Sequence, residues 1–238
     1  MMKRGQVWRM RSHRVIAGGM LGIILLGGAP ADPSGEQILK NIDAGRAAVK
    51  DYTVMLDIVA DVERVNVPPM KAKMYFKYPD KVHFDSKGFA LLPKEGLALN
   101  PETLIKLYAV NHVSRDTLEG TPEYTLELRA RSEKTRIQWL ALSVNPARWT
   151  IDRVQIRRGG ERLITLQFRH DRVEGTWLPA EVVASFSVAS DTSESGTLDP
   201  TTPMRPPQMP RRGTITLHFS HYSINTGLND SLFVSGTN

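Results

Sequence analysis

Apolar and polar positions follow a helical period near the start of the chain and a period of two over most of the rest. Ile38, Leu39, Ile42 and Val49 recur at helical spacing, with Lys40, Asp43, Arg46 and Lys50 opposite them. Ser34 followed by Gln37 has the spacing of a capping box, so an amphipathic helix is predicted over 35–50. From Tyr52 the alternation begins. Tyr52, Val54, Leu56, Ile58, Ala60 and Val62 alternate with polar neighbours such as Thr53, Asp57 and Asp61. After Pro68-Pro69, Met70, Ala72, Met74, Phe76 and Tyr78 alternate with Lys71, Lys73, Tyr75 and Lys77. Pro79-Asp80 makes a turn, and Val82, Phe84 and Ser86 continue opposite Lys81, His83, Asp85 and Lys87. One face apolar and one polar is the signature of half-buried antiparallel strands.

The segment 88–96 breaks the rhythm, since Phe89-Ala90-Leu91-Leu92-Pro93 is apolar without alternation. Asn100-Pro101-Glu102 is a helix start, with a cap and proline at the first helical position, and Leu104, Ile105, Leu107 and Tyr108 give that helix an apolar side. Strands resume with Tyr124, Leu126, Leu128 and Ala130 facing one way and Glu123, Glu127, Arg129 and Arg131 the other. Further strands are predicted at 136–144, 150–157, 162–169, 181–188 and 213–222, with Arg158-Gly159-Gly160-Glu161 as a hairpin turn. The stretch 190–212 holds Pro200, Pro203, Pro206, Pro207 and Pro210 among Ser, Thr and Asp, which a packed strand cannot accommodate, so it reads as a mobile insertion. The fold class is mainly β with a few helices (α+β): one large antiparallel sheet of about nine strands, in a single domain over 32–238.

Such a sheet needs a cover for its apolar face. It either closes into a sandwich or barrel, or curves around the helices and the loop at 89–93. The second arrangement leaves an apolar cavity suited to an acyl chain, lined by Leu56, Met74, Phe76, Phe84, Leu126, Trp139, Phe168 and Phe186, with Leu91 and Leu92 near its rim. The competing reading of the same aromatic and apolar residues is plain core.

The first 31 residues read as an address. Lys3, Arg4, Arg9, Arg11 and Arg14 precede an apolar run from Val15 to Gly28, and Ala29-Pro30-Ala31 supplies the small residues of a cleavage site. This is the layout of a general secretory signal cut after Ala31; an uncleaved anchor is the alternative. The leader changes the charge argument. The whole chain has 31 basic and 25 acidic residues, net +6. Without the leader's five basic residues, 26 remain against 25, and nucleic acid loses its only support. The absence of cysteine excludes disulfides, thiolate nucleophiles, zinc ribbons and iron–sulfur clusters.

No pattern of a catalyst is present: no HExxH, Gly-x-Ser-x-Gly, phosphate loop or dinucleotide fingerprint. His218 and His221 are three apart on a strand and face opposite ways, which is poor for a metal. Asp61/Glu63, Arg129-Ala130-Arg131 and Arg157-Arg158 read as solvated faces or turn residues. No enzyme activity, cofactor or metal is expected.

Several segments carry a family likeness. Glu36-Gln37-Ile38-Leu39-Lys40 through Tyr52, the hairpin Met74-Tyr75-Phe76-Lys77-Tyr78-Pro79-Asp80-Lys81-Val82-His83-Phe84, the meander from Trp149 to Phe168 and the closing Tyr222-Ser223-Ile224-Asn225-Thr226-Gly227-Leu228 together resemble the lipoprotein-carrier, LolA-like proteins of bacterial envelopes. The resemblance implies an unclosed β-barrel lidded by helices, holding acyl chains of a lipid or lipoprotein in the periplasm, with inner- or outer-membrane donor and acceptor proteins. It also implies the alternative of a regulatory envelope sensor that binds a membrane-anchored partner. The dedicated carriers have an arginine just before the hairpin proline that latches the lid, and this chain has Tyr78 there, one hydroxyl in place of a five-donor fork. The expected working state is a periplasmic monomer.

Overall fold

The computed structural model describes residues 32–85, 99–118, 120–158, 162–188 and 212–234. The chain divides by compactness into Met1–Asp32 and Pro33–Asn238, and every element below belongs to the second unit. The leader, the loop with Leu91 and Leu92, the turn at 159–161 and the insertion core at 189–211 lie outside the described residues.

Helix α1 spans Gly35–Arg46. The Ser34 hydroxyl accepts the Gln37 N–H at 3.2 Å, but the Gln37 side chain donates forward to Asn41 at 2.9 Å instead of back to the cap. Only half of the predicted capping box forms. The helix also ends four residues before the predicted limit of Lys50: the Ala47 N–H bonds the Ala44 carbonyl, tightening the last turn. Val49 is still buried, because the chain reverses there into the sheet.

Ten strands follow: β1 Asp51–Val62, β2 Met70–Lys77, β3 Lys81–Asp85, β4 Tyr108–Leu118, β5 Thr121–Ala130, β6 Trp139–Asn145, β7 Thr150–Arg158, β8 Arg162–Val173, β9 Thr176–Val188 and β10 Arg212–Ile224. Helix α2, Pro101–Leu107, precedes β4, and a 3-10 turn, Asp230–Phe233, follows β10. The Asn100 side chain accepts the Glu102 N–H at 2.8 Å, so the predicted cap of α2 is present. Every pairing is antiparallel in one sheet of order β3-β2-β1-β10-β9-β8-β7-β6-β5-β4, with β3 and β4 as its two edges. The sheet is unclosed and antiparallel, and among the described residues two α-helices accompany it. β4 is absent from the sequence prediction. Asn111, His112, Arg115, Asp116 and Thr117 are all exposed on this edge, and its register slips between Val110 and His112, so no alternation survives to be read.

Register fixes which side chains face inward. Leu56 pairs with Ala72 and Phe219, Ile58 with Met70 and Leu217, Leu217 with Val182, Leu166 with Val154, and Leu142 with Leu126. These residues form a continuous inner face, and α1 lies across it, meeting α2, β4, β7 and β9. Ile38, Leu39 and Ile42 of α1 are buried against that face. The outer face carries Lys71, Asp57 and His218 in one row across β2, β1 and β10. Among the described residues no helix is long and apolar enough to cross a membrane.

Candidate functional site

Of the hollows beside the helices, two are walled by side chains of the inner face around α2 and the end of α1. The smaller, about 80 Å³, lies between the end of α1 and the start of β1, walled by Arg46, Tyr52, Phe76, Tyr78, Trp149 and Phe168, with His170 behind them. Tyr52 stacks on Phe76 at 4.9 Å and meets Tyr222 edge-on at 5.3 Å. Burial pushes the Tyr52 hydroxyl up to about 12, against the opposing pull of the Arg46 charge, so it stays protonated across the physiological range. Arg46 donates to the Leu99 carbonyl at 2.8 Å and lies over the Phe76 ring at 5.6 Å, fastening the end of α1 to both sides of the hollow.

Tyr78 adds a second tie. Its hydroxyl reaches both carboxylate oxygens of Asp43 on α1, at 3.2 and 3.3 Å. The residue before the hairpin proline therefore does contact the helix lid, through one hydroxyl and a carboxylate. The bond is exposed, so its contribution is small, on the order of 1 kcal/mol.

The larger hollow, about 610 Å³, lies beneath α2 and the chain at 131–138. Leu99, Leu104, Leu107, Tyr108, Ile137, Leu140 and Ile156 form its apolar walls, and Asp80, Asn100, Thr103, Ser132, Lys134, Thr135 and Arg136 surround them. Its frame is built from backbone contacts. The Tyr108 hydroxyl donates to the Ile137 carbonyl at 3.1 Å, and Arg131 donates from Nε to the Tyr108 carbonyl at 3.0 Å. The Gln138 amide donates to the carbonyls of Ser132, Glu133 and Thr135, which closes the 132–138 segment on itself. Leu107, 44% exposed, is a large apolar side chain held open to solvent at the wall.

The residues singled out from sequence separate into groups. Phe76, Phe168 and Tyr78 wall the smaller hollow. Leu56, Met74 and Leu126 are fully buried in the core cluster beneath the helices, and Phe84 packs beside Met74 on the edge strand. Phe186 covers Gly213, where an added Cβ would stand 2.7 Å from the ring. Trp139 requires a correction. It pairs with Arg157 on the outer face, because its neighbour Leu140 takes the inner position opposite Ile156. The expectation that Trp139 lines an inner cavity is reversed by this one-residue parity. Leu91 and Leu92 lie outside the described residues. The sequence pattern does not gather the larger hollow: Leu104, Leu107 and Tyr108 read as the apolar side of a helix, and Leu140 and Ile156 as ordinary strand positions.

Polar clusters elsewhere are mostly paired, although Arg148 Nε and His170 Nδ1 are buried without a hydrogen-bond partner. Asp152 accepts from Arg148 and from the Thr150 hydroxyl, each at 2.7 Å, with His170 Nδ1 at 3.4 Å. His218 pairs with Glu181 at 3.1 Å, and His221 sits at φ +55° beside Ser220. Among the described residues no three His, Asp or Glu side chains gather to hold a metal ion.

No protein-family model matches the sequence, and no curated protein matches it. Solved structures do share its fold. A DUF1329 family protein from Desulfovibrio piger superposes with a TM-score of 0.57 at 14% identity, over 84% of this chain and 95% of that one. A LolA superfamily protein from Nitrosomonas europaea gives 0.55 at 13% identity, over 85% and 98%. A domain described as an outer membrane lipoprotein-sorting protein, from Vibrio parahaemolyticus, gives 0.56 at 14% identity, over 84% and 96%. The chain has the LolA-like fold.

Proposed function

We propose that this chain is a periplasmic binding protein that holds an acyl chain of a lipid or lipoprotein for transport across the envelope. The observation that carries the reading is the hollow of about 610 Å³ with apolar walls beneath α2. Its volume falls inside the range of roughly 300–1,000 Å³ found for small-molecule sites. Burying about ten methylenes there contributes roughly 8 kcal/mol, a gross gain from which the cost of immobilising and ordering the chain is then subtracted. The hollow offers this through its apolar walls, with Leu104, Leu140 and Ile156 buried among them. The shared fold, with lipoprotein sorting named for one of the solved neighbours, supports the same reading. Phe76 and Phe168, with Tyr78 as the tie to α1, would shape the second, smaller space as the lid shifts; Leu91 and Leu92 are the proposed rim. The role is binding, with no bond made or broken.

Native mass spectrometry of the gently purified protein, together with uptake of a fluorescent fatty acid, tests this. A co-purifying lipid mass and saturable uptake are expected. Thr103 stands on α2 at the wall without being a core residue. Thr103→Trp should occupy the hollow and cut uptake about tenfold or more while leaving the circular dichroism spectrum unchanged. An empty protein that takes up no probe overturns the proposal, and so does undiminished uptake in Thr103→Trp.

A further inference from the structure

Arg46 falls on the polar side of α1 by its spacing, yet the structure turns it inward. It stands in the last turn of the helix, half-buried, and walls the smaller hollow with its guanidinium over the Phe76 ring. Among the described residues its five-donor fork makes one hydrogen bond, from Nη1 to the Leu99 carbonyl, and no ion pair. The nearby carboxylates are engaged elsewhere. Asp43, one turn earlier on the helix, takes the Tyr78 hydroxyl and lies beyond ion-pair distance of Arg46. Glu102 pairs with Lys106 at 3.6 Å, and Asp152 is held by Arg148 and Thr150.

His170 is a second polar group in the same wall. Its side chain is 8% exposed, and Nδ1 stands 3.4 Å from Asp152 with no hydrogen bond made. Nε2, on the other edge of the ring, has no partner among the described residues. The rest of the wall is mainly aromatic and aliphatic, so a charge here is screened less than on the open surface.

Position ties this hollow to the larger one. Leu99 walls both. The Tyr78-Pro79-Asp80 turn likewise gives Tyr78 to the smaller hollow and Asp80 to the larger. About 80 Å³ beside about 610 Å³ is the division that a single-chain amphiphile needs, with room for a compact head and then for a tail.

We propose that the smaller hollow seats the anionic head of the acyl ligand, with Arg46 and His170 as its donors and the tail passing Leu99 into the larger hollow. The ligand class is then an acyl chain that ends in a carboxylate or a phosphate, such as a free fatty acid. An alcohol or ester head, or the uncharged diacylglyceryl end of a lipoprotein, could accept one bond from Arg46. It would leave the guanidinium charge uncompensated in a mainly apolar wall. The head site rests on the acyl-binding reading, and the experiment separates the two.

That experiment is displacement of a fluorescent fatty acid from the full chain, at neutral pH, by dodecanoate, dodecyl phosphate and dodecanol. The three share one tail and differ in the head. At least one of the anions should bind about tenfold or more tighter than the alcohol, as a charge-assisted hydrogen bond requires. Arg46→Gln should bring that anion-to-alcohol ratio down to about threefold or less, and Arg46→Lys should restore part of it. Arg46 also fastens α1, but a loosened helix weakens acid and alcohol alike, so the ratio reports the head. Thr103→Trp, in the larger hollow, should weaken all three and leave the ratio at the parent value. Preference for either anion that is lost in Arg46→Gln supports the site, and the tighter anion identifies the head. Equal binding of the three by the parent, or an unchanged ratio in Arg46→Gln, overturns the head site while leaving the acyl site standing. No binding of any of the three overturns the acyl reading, and the head site with it.

Discussion

Single residues far apart in sequence fix where the chain ends begin and stop. Asp51 opens β1 on the outer side of the sheet, yet it is buried, and its carboxylate collects the closing segment. It accepts the N–H of Thr226 at 2.8 Å, of Gly227 at 3.1 Å and of Leu228 at 3.3 Å, besides the Thr226 hydroxyl. Gly227 at φ +74° lets the backbone turn around it. Asp51→Ala removes the buried acceptor that gathers these N–H groups, and charge-assisted bonds of this kind are each worth about 1.5–3 kcal/mol. A loss of about 3 kcal/mol is expected, read as a lower urea midpoint at unchanged slope. Asp152 gives a pH signature. Its burial alone would raise its pKa; the neighbouring His170, the Thr150 hydroxyl and the Arg148 guanidinium outweigh that and hold it below the ordinary carboxylate value. A lowered folded pKa contributes stability that is complete above the unfolded value of about 3.9 and is lost as pH falls through the folded one. Asp152→Asn should therefore be less stable than the parent at neutral pH and should lose less on acidification below about pH 4. Parallel acid limbs for the two proteins would exclude this role for Asp152.

At the scale of elements, the sequence showed what was regular and missed what depended on a neighbour. The inner rows of β1, β2, β5 and β10 were legible because Leu56, Met74, Leu126 and Leu217 sit in clean alternation, and the α2 cap was legible because Asn100 acts on the next turn. β4 is not, since its polar positions cluster on an exposed edge and its bulge breaks the period between Val110 and His112. The parity of Trp139 is not legible for a similar reason: β6 is buried on both faces, so hydrophobicity alone does not say which face is inner. Asp51 and the wall of the larger hollow are contacts across the chain, with no local mark. The seating of α1 on the edge shows how tight such contacts are. A Cβ on Gly35 would stand 2.9 Å from Val110 Cγ2 and nearer still to Cγ1, on a β-branched side chain with little freedom to rotate away. Gly35→Ala gains helix propensity of up to about 1 kcal/mol but loses roughly 1–3 to overpacking. Net destabilisation of about 1 kcal/mol is expected in thermal or urea unfolding, with faster hydrogen exchange in α1 as the local readout; a more stable Gly35→Ala would mean that the edge strand yields.

For the molecule as a whole, strand order decides what can be removed. The first and last strands, β1 and β10, are neighbours in the interior of the sheet, and the two edges are β3 and β4, which flank α2 in the chain order. The insertion joins β9 to β10, and its ends are already adjacent: Ser187 pairs with Arg212, and Phe186 closes over Gly213. Neither hollow is walled by a residue between 180 and 230. The strands therefore need only a turn between them, whatever the residues at 189–211 do. Replacing 189–211 by a four-residue turn shortens the closed loop and should stabilise the fold by about 1.5 kcal/mol, since loop-closure cost grows with the logarithm of length. Fatty-acid uptake should stay at the parent level, because the walls of the larger hollow come from α2, β4, β6, β7 and the segment at 132–137. If the insertion serves a membrane-anchored partner, the shortened protein should lose that partner in a pull-down while keeping both stability and uptake. Loss of cooperative unfolding would show that the hairpin register is not self-sufficient. Loss of uptake alone would place part of the acyl site outside the hollow beneath α2.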